Sequence, residues 1–387
     1  MTFVNSRKVI LLFCAILSLC VINIYAQNAT PVEILNKAKE CYKKGLYDEA
    51  IANFTQAIQV GSASPEIYNY RAASYDDNGQ PTKAIADYTK AIELNPSYAE
   101  AYNNRGLVYY DQEAYAKAIA DYTQALKINP QYALAYNNRG VAYYDWEKYT
   151  QAIKDFNKAI EIRPGYVAAY INRGLAYHDK NDLRQALINY NTAIEIDPKN
   201  AKAYNERGLV YYDQGKRDLA IKDYTRALTI NPDFSEAYSR RGVVYYKNGK
   251  KDRAILDYTK ADQMNKELAR EFVKKGIAYH NKIEFDLALV NYNKAIEKDP
   301  VSFEAYFNRG LTYYKQGNLD QAINDYTKAV ENNSEFAKGY SSRAVAYYYQ
   351  KEYAKAKADI DTAKSLGATV DPEIIKALDN MPKESVK

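Results

Sequence analysis

The chain has 387 residues, enough for two or three ordinary globular domains, yet 41 of them are Tyr against 10 Phe and one Trp. So lopsided an aromatic usage points to one short pattern copied many times. The 53 Lys and Arg nearly cancel the 48 Asp and Glu, which excludes the strong field that would recruit nucleic acid or an anionic membrane.

At the N-terminus, Arg7 and Lys8 precede an apolar run from Val9 to Ile22, and Ile24, Tyr25 and Ala26 offer a small residue for cleavage before Gln27. This layout predicts a secretory signal peptide over residues 1–26 and a short linker over 27–30, with a run too short to span a bilayer comfortably. The expected product is exported, periplasmic or secreted, with no stable membrane insertion after cleavage. A lipid anchor would want a small residue before Cys20, where Leu19 stands. Cleavage would remove Cys14 and Cys20 and leave Cys41 without an internal partner, so stability must come from packing.

From Pro31 the pattern declares itself. Gly106, Gly140, Gly174, Gly208, Gly242, Gly276 and Gly310 follow one another at intervals of 34 residues, and Ala38, Ala72 and Ala344 extend the series. With this small residue as position 8, ten repeats run from Pro31 to Val370 without insertion or deletion. Positions 20 and 27 are Ala in every copy, and position 11 is Tyr in nine. Positions 4, 8 and 11 share one side of a helix, as do 20, 24 and 27 of a second, so each repeat reads as a helical hairpin with these positions as its core. Gly45, Gly79, Gly215, Gly249 and Gly317 sit where the first helix would end and reverse. Pro96, Pro130, Pro164, Pro198, Pro232 and Pro300 close six of the second helices. After Val370, Asp371 and Pro372 open a capping helix with a short tail to residue 387.

Tyr102, Arg105-Gly106, Tyr109, Ala118, Tyr122 and Pro130 of the third repeat stand at the spacings of the tetratricopeptide repeat, which the chain resembles along nearly its whole length after residue 30. The resemblance implies an all-α solenoid, a right-handed superhelix whose concave surface is lined by the first helix of each hairpin. One position departs from the family pattern. Where Leu is usual, position 7 carries Arg in eight copies, among them Arg105, Arg139 and Arg207, and Lys in the other two. A hairpin reversing near position 15 sets position 7 opposite position 23, where Asp121, Asp155 and Asp223 stand. The reading is a structural ion pair in each hairpin.

If positions 4, 8 and 11 face the core, positions 2, 5, 6, 9, 12 and 13 face the groove. Position 9 is apolar in nine copies. Position 12 carries Tyr110, Tyr144, Tyr212 and Tyr246 with His178 and His280, position 13 carries Asp111, Asp145, Asp179 and Asp213, and position 6 carries Asn104, Asn138, Asn172 and Asn308. Tyrosine combines contact area with a hydroxyl, a row of carboxylates can orient a basic segment, and a row of amides can pair with the backbone of an extended peptide. Asn69, Asn103, Asn137 and Asn205 at position 5 are expected to join that row. His178 and His280 stand in Tyr slots without ligand spacing, so no metal is expected.

Two functions suit this layout. One is an exported scaffold that binds peptide or protein segments in its groove. The other is a structural subunit of a cell-envelope assembly complex, acting through its convex face or array ends. An enzyme fails on inventory, since the repeats consume the chain and leave no nucleophile and base, phosphate loop or metal cluster. No cofactor and no nucleic-acid partner are expected.

Overall fold

The computed structural model describes residues 30–380. The signal-peptide reading and the tail beyond residue 380 fall outside them. The described residues form an all-α solenoid of 20 helices without strands. They divide into two compact units, with Pro198 ending the first and Lys199 beginning the second.

The first unit holds five hairpins: α1 (Pro31–Lys43) with α2 (Tyr47–Gln59), α3 (Pro65–Asp77) with α4 (Pro81–Leu94), α5 (Ala99–Asp111) with α6 (Tyr115–Ile128), α7 (Ala133–Asp145) with α8 (Tyr149–Ile162), and α9 (Val167–Asp179) with α10 (Leu183–Ile196). Thr30 opens the array with a capping box, its hydroxyl accepting from the Glu33 amide while the Glu33 carboxylate accepts from the Thr30 amide, and Pro31 occupies the first helical position. Each first helix stops at a residue of positive φ, a Gly at 45 and 79 but Glu113, Glu147 and Asn181 in the next three hairpins.

The second unit contains α11 (Ala201–Asp213) with α12 (Arg217–Ile230), then α13 (Ser235–Lys247) followed by α14 (Lys251–Asn281). It continues with α15 (Phe285–Lys298), α16 (Phe303–Lys315), α17 (Leu319–Asn332), α18 (Ala337–Tyr349), α19 (Tyr353–Ser365) and the cap α20 (Pro372–Asp379). Ile374 and Leu378 of α20 cover Ile360 and Val370, closing the last hairpin's core. Ile283, which follows α14, is held at φ +66 and is a β-branched residue in a conformation that glycine adopts freely.

Two expectations need correction. The sequence reading gives every repeat its own pair of helices, but α14 is one helix of 31 residues that serves as the second helix of repeat 7 and the first of repeat 8. At this junction Asn265-Lys266 stands where the neighbours have Asn231-Pro232 and Asp299-Pro300, and Lys266, Glu267 and Leu268 are good helix formers. Lys266 pairs with Asp262 at 2.8 Å and Gln263 bonds Glu267 at 2.9 Å, both one turn apart, carrying the helix through. The second correction concerns the core. Position 8 is fully buried, but position 11, and position 4 in every repeat after Ile34 of the first, are half-buried at the edge, whereas positions 3, 5 and 10 are buried in most repeats. A first helix in an array is covered by its own partner and by both neighbouring repeats, so its buried arc is wider than a single stripe.

Position 8 shows how close the helices come. A Cβ added at Gly106, Gly140 or Gly174 would lie within 2.7 Å of the Tyr122, Phe156 or Tyr190 ring. These rings at position 24 are fully buried, and each is flanked by the invariant Ala of position 20.

Candidate binding surface

Successive first helices lie side by side, and their facing columns bond to one another at an offset of 35 residues. In the first unit, the Asn104 amide donates to the Asn69 side chain at 3.3 Å, Asn138 to Asn103 at 3.1 Å, and Asn172 to Asn137 at 3.0 Å. Position 5 is thus buried beneath the surface: Asn103 is fully enclosed, and the expectation that Asn69, Asn103, Asn137 and Asn205 face the groove is corrected. The Asn69, Asn103 and Asn137 side chains accept from the next repeat, whereas the Asn205 amide donates to Glu206 of its own repeat at 3.1 Å. Asn308 in the second unit bonds instead to the Glu304 carbonyl of its own helix.

A second ladder runs beside the first. The Tyr42 hydroxyl donates to Asp77 at 2.8 Å, and Tyr110 and Tyr144 donate in the same way to Asp145 and Asp179 of the next repeat. Burial first and then these carboxylates push the Tyr110 and Tyr144 hydroxyls well above the usual phenol range, so both remain donors. The rings are half-buried and lean on Tyr115 and Tyr149 at 5.9 and 5.6 Å between centroids. Asp111, Asp145 and Asp179 are exposed, while Asn104, Asn138, Asn172 and His178 are half-buried. The ladder reading missed that these columns bond each other; the constant offset of 35 between Tyr and Asp, and between Asn and Asn, is the signal that carries it.

Repeat 2 interrupts the Tyr column with Asp76. Burial, then Asp111 and Asp77, raises its carboxyl to about 6. A carboxyl that binds its proton more tightly when folded stabilises the fold below its ordinary range near pH 4, and that contribution is lost as pH rises through 6. Asp76→Asn is therefore expected to stabilise the protein at pH 7 by on the order of 1 kcal/mol after solvent screening, with little change at pH 4. Urea titrations at the two pH values check this, and equal gains at both would refute it.

In the second unit the wall differs. Position 12 carries Tyr212, the exposed Tyr246, His280 and Tyr314. The His280 imidazole sits 2.8 Å from the Thr312 hydroxyl, and burial followed by Lys315 lowers its pKa. Asp213 is followed in its column by Lys247, Asn281, Lys315 and Tyr349. The Glu206 carboxylate, in an Asn slot, accepts from Arg240 at 3.0 Å. Position 9 is half-buried between first helices except at Val243 of α13 and Ile277 of α14, which are exposed.

The Arg column lies along the hairpin edge. Arg105, Arg139 and Arg207 each grip Asp121, Asp155 and Asp223 with two hydrogen bonds of 2.7–2.8 Å. A third bond reaches back one repeat: Arg105 to Thr89 at 2.9 Å and Arg139 to Thr123 at 3.0 Å. The guanidinium of Arg105 also lies 5.7 Å from the Tyr102 ring and 6.0 Å from Tyr109. Each Arg thus ties its own hairpin to the preceding one, a link that pairing of positions 7 and 23 alone does not include. Arg173 makes the same pattern with Asn189 and Asn157, and with no carboxylate there burial lowers its pKa.

Family models described as TPR repeat match residues 74–113, 106–146, 174–215, 208–249 and 276–317, and models described as tetratricopeptide repeat match 133–166, 235–268 and 303–336. The chain is a tetratricopeptide repeat protein. Similar solved structures include a tetratricopeptide repeat protein from Parabacteroides merdae, at 24% identity and TM-score 0.52, covering 60% of this chain and 93% of that one. Pseudomonas aeruginosa pilF is 17% identical with TM-score 0.47, over 54% and 94% of the two chains. YrrB, described as a TPR protein with an unusual peptide-binding site, is 27% identical with TM-score 0.40, over 48% and 95%. No curated protein matches the sequence. A tetratricopeptide repeat array is a protein-interaction scaffold and typically non-catalytic. Among the described residues, no helix is long and apolar enough to cross a membrane, and no group of His, Cys, Asp and Glu could hold a metal ion.

Proposed function

We propose that this tetratricopeptide repeat protein is exported and binds an extended, cationic segment of a partner protein along the first-helix wall of repeats 2–5. The observation that carries the reading is the charge of that wall. Across positions 2, 5, 6, 9, 12 and 13 of these four repeats there are Glu66, Glu100, Asp76, Asp77, Asp111, Asp145 and Asp179, and no Lys or Arg. A surface of one sign concentrates its field on a ligand of the other. The carboxylates of Asp145 and Asp179 accept from the Tyr110 and Tyr144 hydroxyls, which fixes their positions along the wall. The tyrosine rings add contact area at little cost in entropy. Export rests on the signal-like residues 1–26.

A fluorescent decapeptide of alternating Lys and Ser, followed by polarisation, tests the reading. Binding should weaken with added salt, by at least tenfold in Asp145→Asn with Asp179→Asn, and comparably in Tyr110→Ala with Tyr144→Ala, each with unchanged helicity. A peptide bound equally well by all three chains would sink the groove assignment.

A further inference from the structure

The junction between repeats 7 and 8 is where the array leaves its own contacts unmade. At every other hairpin of the described array that carries an aromatic at position 24, the ring is at most 2% exposed; Tyr258 is 38% exposed. Ile255 at position 21 is 61% exposed, although its Ile and Leu counterparts are buried or half-buried. The cover that is missing is known from the other repeats. Tyr122 and Ile119 pack with Ala142, the position 10 residue of the following hairpin, and Tyr224 packs with Val244. The matching residue for Tyr258 is Ala278, which is itself exposed. Both lie on the continuous α14, about 30 Å apart along one helix, so they cannot meet within one chain.

The sequence has altered each connection at this junction. The helix breaker has become Lys266-Glu267, the Arg of position 7 has become Lys275, and Asp262 and Glu271 occupy slots that hold Ile, Leu or Val in eight other copies and Ala in six. These charges form a mixed row, Asp262, Lys266, Glu267, Arg270, Glu271, Lys274 and Lys275, along the helix.

We propose that two copies of this chain pair through α14, antiparallel about a twofold axis near Lys266 and Glu267. The second half of each α14 then covers repeat 7 of the other copy. In that arrangement Ile255 meets Ala278 of the other chain, Tyr258 and Thr259 meet Lys275 and Lys274, and Lys266 faces Glu267. The carboxylates of Asp262 and Glu271 also approach, with Lys266 and Arg270 beside them. The contact is isologous and each half is made twice, as twofold assembly requires. A straightened connection between two hairpins is the geometry through which identical elements are exchanged between chains.

The test uses the full chain with Cys14, Cys20 and Cys41 replaced by Ser. One tagged population carries Ile255→Cys and a differently tagged one carries Ala278→Cys. Mixed and mildly oxidised, they should give a disulfide heterodimer at several-fold the yield of a control in which the exposed Val32→Cys replaces Ile255→Cys. Sedimentation should give the mass of a dimer for the unaltered chain and that of a monomer for Lys266→Pro with Glu271→Ala, which restores a turn. A monomer across micromolar concentrations of the unaltered chain would overturn the proposal, as would cross-linking no better than the control. If the proline variant does not fold, the cross-link alone decides.

Discussion

Arg139→Met should cost about 3–5 kcal/mol of stability, the range for removing one partner of a buried, hydrogen-bonded ion pair. Asp155 is buried and takes both of its strong hydrogen bonds from Arg139 at 2.7 Å. Burial already pushes its carboxyl above the usual range, with Arg139 acting against that rise. Without the guanidinium the charge is left in a site that disfavours it, and the Thr123 hydroxyl of the preceding repeat, which donates to the Ile119 carbonyl, loses the bond it accepts from Arg139. Replacing Arg139 and Asp155 together, by Met and Leu, removes the stranded charge and should cost less than the single substitution. The deficit of Arg139→Met should also shrink on acidification, because protonating Asp155 relieves it. Urea denaturation followed by circular dichroism measures all three effects. Equal losses in the single and double variants would refute the pairing as the source of the cost.

Phe156→Ala is expected to cost a similar amount, about 3–5 kcal/mol, for a different reason. The ring is fully buried and lies so close to Gly140 that even a methyl there would collide at 2.6 Å. Helices fixed at that separation by Ala152, Ala159 and Ala176 cannot collapse into the space the ring leaves. Phe156→Tyr restores the residue of repeats 3 and 5 and should cost far less. The Tyr122 hydroxyl, which has no hydrogen-bond partner in its buried site, shows that this slot tolerates a poorly satisfied oxygen. Comparable losses for Ala and Tyr in thermal denaturation would mean that packing against Gly140 is not what the ring supplies.

The hairpin was legible because its residues recur: the small residue of position 8, the alanines of 20 and 27, and the glycines of position 15 each mark a place where backbone approach or reversal leaves one solution. The facing of Arg139 and Asp155 could be read too, since it follows from the reversal point alone. What lies between repeats was harder. Asn103 belongs on the outer side of an isolated first helix, yet in the array it is fully buried and accepts from Asn138 of the next helix. The bond between Tyr110 and Asp145 likewise depends on how two repeats are staggered, which a single hairpin's periodicity does not contain. The fused α14 arises from the absence of a stop signal at Lys266, and a register search detects what is repeated more readily than what is missing. Asn333-Ser334 lacks the proline as well and still turns, with the Asn333 side chain accepting from the Glu335 amide.

The arginine that reaches back to the preceding hairpin has a consequence for how such a chain can change length. Arg139 needs a hydroxyl at Thr123 and Asn138 needs an amide at Asn103, and one repeat earlier Thr89 and Asn69 offer the same groups to Arg105 and Asn104. Excising residues 99–132 would therefore deliver Arg139 to Thr89 and Asn138 to Asn69 with both kinds of bond restored, while Asp145 would exchange its Tyr110 donor for Asp76. Within such a stretch, reach is a quantity that gene duplication or deletion can adjust in whole cassettes, without posing a new folding problem.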